Sequence, residues 1–186
     1  MSLINSITAM KEEITAARRE LHQNPQTSYE ETFASELVAK KLTEWGIPFK
    51  RGLAVTGIVA TIEGQKNTSG KAIGLRADMD ALDMIETSGQ EWASKTPGKM
   101  HGCGHDGHTA MLLGAAKYLS ETRNFNGKVH LIFQPAEEGG AGAARMIEEG
   151  LFKQFPMQAV FGMHNWPGIA KGKLGLRPGP IMASSD

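Results

Sequence analysis

The chain has a single cysteine, Cys103, among its 186 residues. A lone cysteine excludes an intramolecular disulfide framework and any zinc module built on four thiolates. Excess charge of either sign is also missing, since 20 basic side chains balance 20 acidic ones. Without a basic field nothing draws in a phosphate backbone, so no nucleic-acid partner is expected. No apolar run approaches the ~18 residues that cross a bilayer, so no membrane partner is expected either. The opening Met1-Ser2-Leu3-Ile4-Asn5 lacks the basic stretch and apolar core of a secretory signal. The expected location is therefore cytoplasmic. What is present is 40% hydrophobic and 22% charged residues, the balance of a globular chain of about one domain. The six histidines are unevenly spread, with His101, His105 and His108 close together.

Hydrophobic periodicity lays out the elements. Leu3, Ile7, Met10, Ile14, Ala17 and Leu21 recur at steps of four and three, which predicts one amphipathic helix ending near Asn24-Pro25. Ser28 with Glu31 reads as a capping box for a second helix, with the stripe Ala34, Val38, Leu42 and Trp45 and a stop at Gly46. Residues 57–62 and 72–77 read as strands joined as a hairpin across the Gly64–Gly70 turn. A third helix is expected over about Thr109–Leu119, a strand over Val129–Phe133, a helix over Ala143–Glu149 and a buried strand over Ala159–Met163. An edge strand is expected over Gly172–Leu176. Strands alternating with helices predict an α/β fold, a mixed and largely parallel sheet flanked by helices on both faces.

Residues with chemical potential fall at the strand ends, where open α/β sheets place their ligands. Asp78 and Asp80 follow one strand, Glu137 and Glu138 a second, and His164 a third. Between them lies His101-Gly102-Cys103-Gly104-His105-Asp106-Gly107-His108. A thiolate, imidazoles and carboxylates together suit zinc, manganese, cobalt or nickel better than calcium or magnesium. The same residues also admit a plainer reading: a Gly-rich turn whose histidines cap a helix, with Cys103 as a buried apolar filler. Adjacent Glu137 and Glu138 on an extended segment point to opposite sides, one toward a metal and the other toward substrate, or else form a solvated acidic turn. Asp80 either serves the site, or pairs with a nearby arginine or caps a turn. Gly140-x-Gly142-x-x-Arg145 fails as a dinucleotide fingerprint, because its third glycine is Arg145 and two carboxylates precede it. Met79, Met84, Met100, Met111 and Met163 read as packing, His22 and His130 as structural, and His108 stays open. A thiol-nucleophile role for Cys103 lacks a resolving thiol.

At these residues the chain resembles the metal-dependent amidohydrolases related to hippurate hydrolase, N-acetyldiaminopimelate deacetylase and auxin-conjugate hydrolases, within the aminoacylase and carboxypeptidase-like metallopeptidases. The matching stretches are Arg18 to Pro25, Gly74 to Leu82, Met100 to His108, Gln134 to Gly139 and Gly162 to Asn165. The resemblance implies a zinc-peptidase-like catalytic domain with two divalent metal ions. Cys103, His105, Glu138 and His164 would be metal ligands, Glu137 the general base and Asp80 the carboxylate that orients the site. The implied substrate is a small N-acyl amino acid, cleaved to a carboxylic acid and an amino acid. Family members are longer, often dimerising through an inserted lid, and carry a further histidine ligand near their C-terminus. Residues 1–183 are therefore expected to be the N-terminal segment of a catalytic domain, with 184–186 starting the connection to a lid. Little activity is expected from this segment alone, and the alternative is a non-catalytic metal-binding domain. Asp83 stands where the family usually has proline.

Overall fold

The computed structural model describes residues 3–181, in which five strands form one mixed sheet with helices on both faces. The elements run α1 (Leu3–Ala9), α2 (Lys11–Gln23), α3 (Thr32–Glu44), β1 (Phe49–Leu53), β2 (Gly57–Glu63) and β3 (Ala72–Asp78). They continue with α4 (His105–Thr122), β4 (Lys128–Gln134), α5 (Gly142–Glu148), α6 (Leu151–Gln154) and β5 (Ala159–Gly162). The sheet order is β1-β2-β4-β3-β5. Strands β4, β3 and β5 are parallel, while β2 runs antiparallel to β4 and β1 antiparallel to β2. The expected boundary at 183/184 lies outside the described residues. Among those described, no helix is long and apolar enough to cross a membrane.

Period-two alternation divides the sheet between two cores. Ile58, Ala60 and Ile62 of β2 and Val129, Leu131 and Phe133 of β4 pack against Ala17 and Leu21 of α2, Val38 and Leu42 of α3 and Leu113 of α4. The intervening Val59 and Ile132 face Met146 and Leu151 of the α5–α6 side. Each fully buried large apolar side chain, such as Phe133 or Leu131, contributes about 1.5–3 kcal/mol. β4 is central because its run from Val129 to Gln134 is buried throughout.

Several local expectations are corrected. The N-terminal helix breaks at Met10, whose N–H reaches back only three residues to Ile7; Leu3 and Ile7 stay exposed, so their stripe does not join the core. The capping box is absent. α3 has no side-chain cap, and the Glu31 carboxylate is engaged elsewhere. The 57–62 and 72–77 strands do not form a hairpin, because β4 lies between them and the intervening segment instead bonds to the turn before β4 (Gly64 N–H to Gly127 O, 2.9 Å). β5 is exposed along its length, being paired on one side only, and residues 172–176 form no strand. Met79 is a core residue, whereas Met84, Met111 and Met163 are exposed. β1 and α6 lacked a pattern strong enough to predict.

Candidate metal centre

Three parallel strands end on one edge and deliver their following residues to a common place. β3 leads into Asp80, β4 into Glu137 and Glu138, and β5 into His164 and Asn165. The fourth contributor is α4, which starts at His105, four residues earlier than the periodicity implied. Gly104 makes this possible, since its φ of 98° is a left-handed conformation that glycine adopts without a Cβ penalty. His105, Asp106 and His108 therefore sit on the first helical turn, under the strand ends.

His105 is the centre of the cluster and has no solvent exposure. Its Nδ1 lies 3.2 Å from Asp80 Oδ1, and Asp80 Oδ2 accepts the Glu138 backbone N–H at 2.9 Å. Its Nε2 is buried without a hydrogen-bond partner, yet three carboxylates approach it: Asp78 at 3.6 Å, Glu138 at 3.7 Å and Glu137 at 3.9 Å. Cys103 Sγ is 3.3 Å from His164 Nε2, and single ligand atoms of Cys103, His105 and His164 lie within 4.8 Å of one another. The structure thus brings together Asp80, Cys103, His105, Glu137, Glu138 and His164. One detail differs from expectation. Glu137 and Glu138 do not alternate as on a strand; both turn toward His105, because β4 ends at Gln134 and Ala136 adopts a φ of 53°.

His108 and Asp78 form a supporting layer. His108 Nε2 lies 3.0 Å from Asn165 N and 2.6 Å from Asn165 Oδ1, and its Nδ1 donates to the carboxylate oxygen Asp78 Oδ1 at 2.7 Å. With both ring nitrogens used, His108 holds the His164–Asn165 segment in place. Arg76 donates to Asp78 Oδ2 at 2.7 Å. His22 contacts Asp106 at 2.8 Å and His130 contacts Thr61 at 2.9 Å, and neither histidine belongs to the groups of ligand atoms that converge at the site. Asn165 and Asp78 gained no definite role from spacing, for the histidine they share, His108, lies at least 30 residues from each.

The electrostatics match a cation site. Burial works against a charged His105, but the bond to Asp80 and the charge of Asp78 outweigh it and raise its pKa. Burial and the Glu138 carboxylate push the Cys103 thiol up to about 12. Burial disfavours an ionised Asp80, but His105 and the Glu138 backbone N–H more than compensate and lower it. An orphaned imidazole nitrogen amid carboxylates, with a thiol and a second imidazole adjacent, is a donor set that fits a transition-metal ion.

The sequence pattern of Peptidase family M20/M25/M40 matches residues 74–182, which include every residue of this cluster. The hippurate hydrolase of Campylobacter jejuni is 47% identical over 186 residues, all of this chain and 48% of that protein. An N-acetyl-L-cysteine deacetylase of Bacillus subtilis is 46% identical over 182 residues, covering 97% of this chain and 43% of that protein. The chain thus spans about half the length of the curated relatives it matches. A solved Bacillus subtilis structure, a dinuclear metal binding peptidase from the M20 family, superposes with a TM-score of 0.87 at 38% identity, covering 93% of this chain and 48% of that one. The sequence match and the shared fold together make this chain a member of Peptidase family M20/M25/M40.

Proposed function

We propose that this chain carries the metal-binding and proton-transferring part of an amidohydrolase that cleaves small N-acyl amino acids to a carboxylic acid and an amino acid. The observation that carries this reading is the buried, unpartnered Nε2 of His105 facing three carboxylates. Similarity to a hippurate hydrolase and an N-acetyl-L-cysteine deacetylase supports the substrate class. Cys103, His105, Glu138 and His164 would hold two divalent ions of zinc, manganese, cobalt or nickel. What such ions supply is polarisation of the scissile carbonyl and a pKa of water lowered toward ~7.

The chain's own residues do the rest. Asp80, from behind, fixes the tautomer and ring orientation of His105, so that Nε2 faces the site. Glu137, more exposed than Glu138, faces the mouth of the cluster. It takes a proton from water and returns it to the leaving amine, a contribution of typically ~10²–10⁴-fold. The Cys103 thiol must shed its proton to act as a ligand, and the cytoplasm, which keeps lone thiols reduced, is the compartment we assign.

The test compares Glu137→Gln with Glu138→Gln for metal content after dialysis, in this chain and in one extended to the length of its relatives. Turnover of hippurate and N-acetyl amino acids is read alongside. Glu137→Gln should keep metal and lose turnover, whereas Glu138→Gln should lose both. Equal metal loss in the two variants would refute the division of roles. Metal binding without turnover in either parent chain would favour a non-catalytic metal-binding domain.

A further inference from the structure

One buried carboxylate lies outside the metal cluster and yet reaches it through the backbone. Glu31, immediately before α3, has no solvent exposure. Its Oε1 accepts two backbone N–H groups, from Tyr29 at 3.0 Å and from Ala136 at 2.8 Å. Its Oε2 accepts the Thr56 hydroxyl at 2.6 Å. A single side chain thereby ties together the loop before α3, the β1–β2 turn and the loop that follows β4.

Backbone conformation marks the same place. Tyr29, Ala54, Val55 and Ala136 have φ of 66°, 49°, 73° and 53°, a left-handed region that side chains with a Cβ rarely adopt. Such conformations persist where the surroundings over-determine them. Here Tyr29 and Ala136 are the two residues whose N–H groups Glu31 holds, and Ala54 and Val55 lead into Thr56. The far end of the post-β4 loop is held too, for the Tyr29 hydroxyl donates to the Gly140 carbonyl and Gly142 N–H donates to Ala136 O at 3.0 Å. Between these anchors lie Glu137 and Glu138. The next alternate N–H of the loop, that of Glu138, is taken by Asp80 from the metal side.

We propose that Glu31 and Tyr29 form a clamp that positions Glu137 and Glu138. By holding Ala136 in the left-handed conformation, Glu31 breaks the strand alternation that would send the two carboxylates to opposite sides, and both turn to His105 instead. Glu31 and Tyr29 touch no ligand atom of the cluster; they are positioning residues. The proposal rests on the reading of Glu137 and Glu138 as base and ligand.

Cobalt(II) titration of the 186-residue chain tests it, because the thiolate charge-transfer and d–d absorption bands report both affinity and coordination geometry. Four variants are compared with the parent at a temperature where circular dichroism shows each to be folded. Glu31→Leu should weaken cobalt binding by ~10–100-fold, the usual cost of removing an outer partner of a metal site, and alter the d–d spectrum. Glu31→Gln should restore binding close to the parent, since its amide oxygen still accepts both N–H groups and the Thr56 hydroxyl can rotate to accept from the amide NH₂. Tyr29→Phe, which leaves the buried carboxylate in place, should bind several-fold more weakly. Parental affinity and spectrum in folded Glu31→Leu would overturn the clamp, since a purely structural Glu31 would lower only the melting temperature. Should Glu31→Leu fail to fold, parental affinity in Tyr29→Phe overturns it. The fourth variant, Glu138→Gln, guards the premise: parental cobalt affinity there would overturn the ligand assignment itself, whatever the clamp variants do.

Discussion

Asp78 offers a direct measure of how strongly the site's supporting layer is charged. Its side chain, 1% exposed, accepts from Arg76 Nη1 and His108 Nδ1, each at 2.7 Å. Burial works against its ionisation, but the His108 hydrogen bond and the Arg76 charge win, holding its pKa down at about 2 against an ordinary 3.8. That fall, at ~1.36 kcal/mol per unit, is worth about 2–3 kcal/mol of folding stability. Because the folded pKa is the lower one, this stability is fully present above about pH 4 and is lost as pH falls toward about 2. Asp78→Asn removes the charge at every pH while keeping the shape, and resembles the protonated carboxyl. Urea unfolding of parent and variant, both with a chelator present, should therefore differ by about 2–3 kcal/mol at pH 6 and converge as pH approaches about 2. Other carboxylates titrate in the same range but are common to both proteins and cancel. A gap that stays constant from pH 6 to pH 2 would refute an ionised, paired Asp78.

Two further outcomes follow from local geometry. Since burial and Glu138 push the Cys103 thiol up to about 12, zinc addition near neutral pH should release a proton that Cys103→Ser does not, and parental affinity should rise with pH. Equal proton release by both proteins, read with an indicator in weak buffer, would exclude the thiol as ligand. Gly142→Ala would set a Cβ 1.8 Å from the Pro135 carbonyl, so the backbone ahead of Glu137 must move. The expected cost is at least ~1–3 kcal/mol of stability together with weaker metal binding, and an unchanged thermal midpoint would contradict it.

Patterns carried by a single element were readable one by one. The Ala34, Val38, Leu42 stripe forms the buried face of α3, and the apolar run at Val129–Phe133 forms a strand. The cluster was also visible, because Asp80, Glu137, Glu138 and His164 each follow a strand closely. Strand order was not readable: residues 57–62 and 72–77 flank a Gly-rich turn and look like a hairpin, yet β4 separates them. Local signals could not show this, since burying β4 on both faces is a gain of the whole sheet. Glu31 was misread for a related reason. Three residues after Ser28 it has capping-box spacing, but a donor 105 positions away, Ala136 N–H, competes for it and wins.

By itself the sequence determined the helical or extended character of most segments and pointed to the side chains that the fold gathers around His105. These depend on side-chain chemistry and on periodicity along a few turns. The tertiary structure decided the rest: the order of strands, the start of α4 at His105, and the turning of Glu137 and Glu138 to one centre. Those outcomes depend on hydrogen bonds and burial between residues far apart in the chain, where one buried carboxylate such as Glu31 can override a local preference.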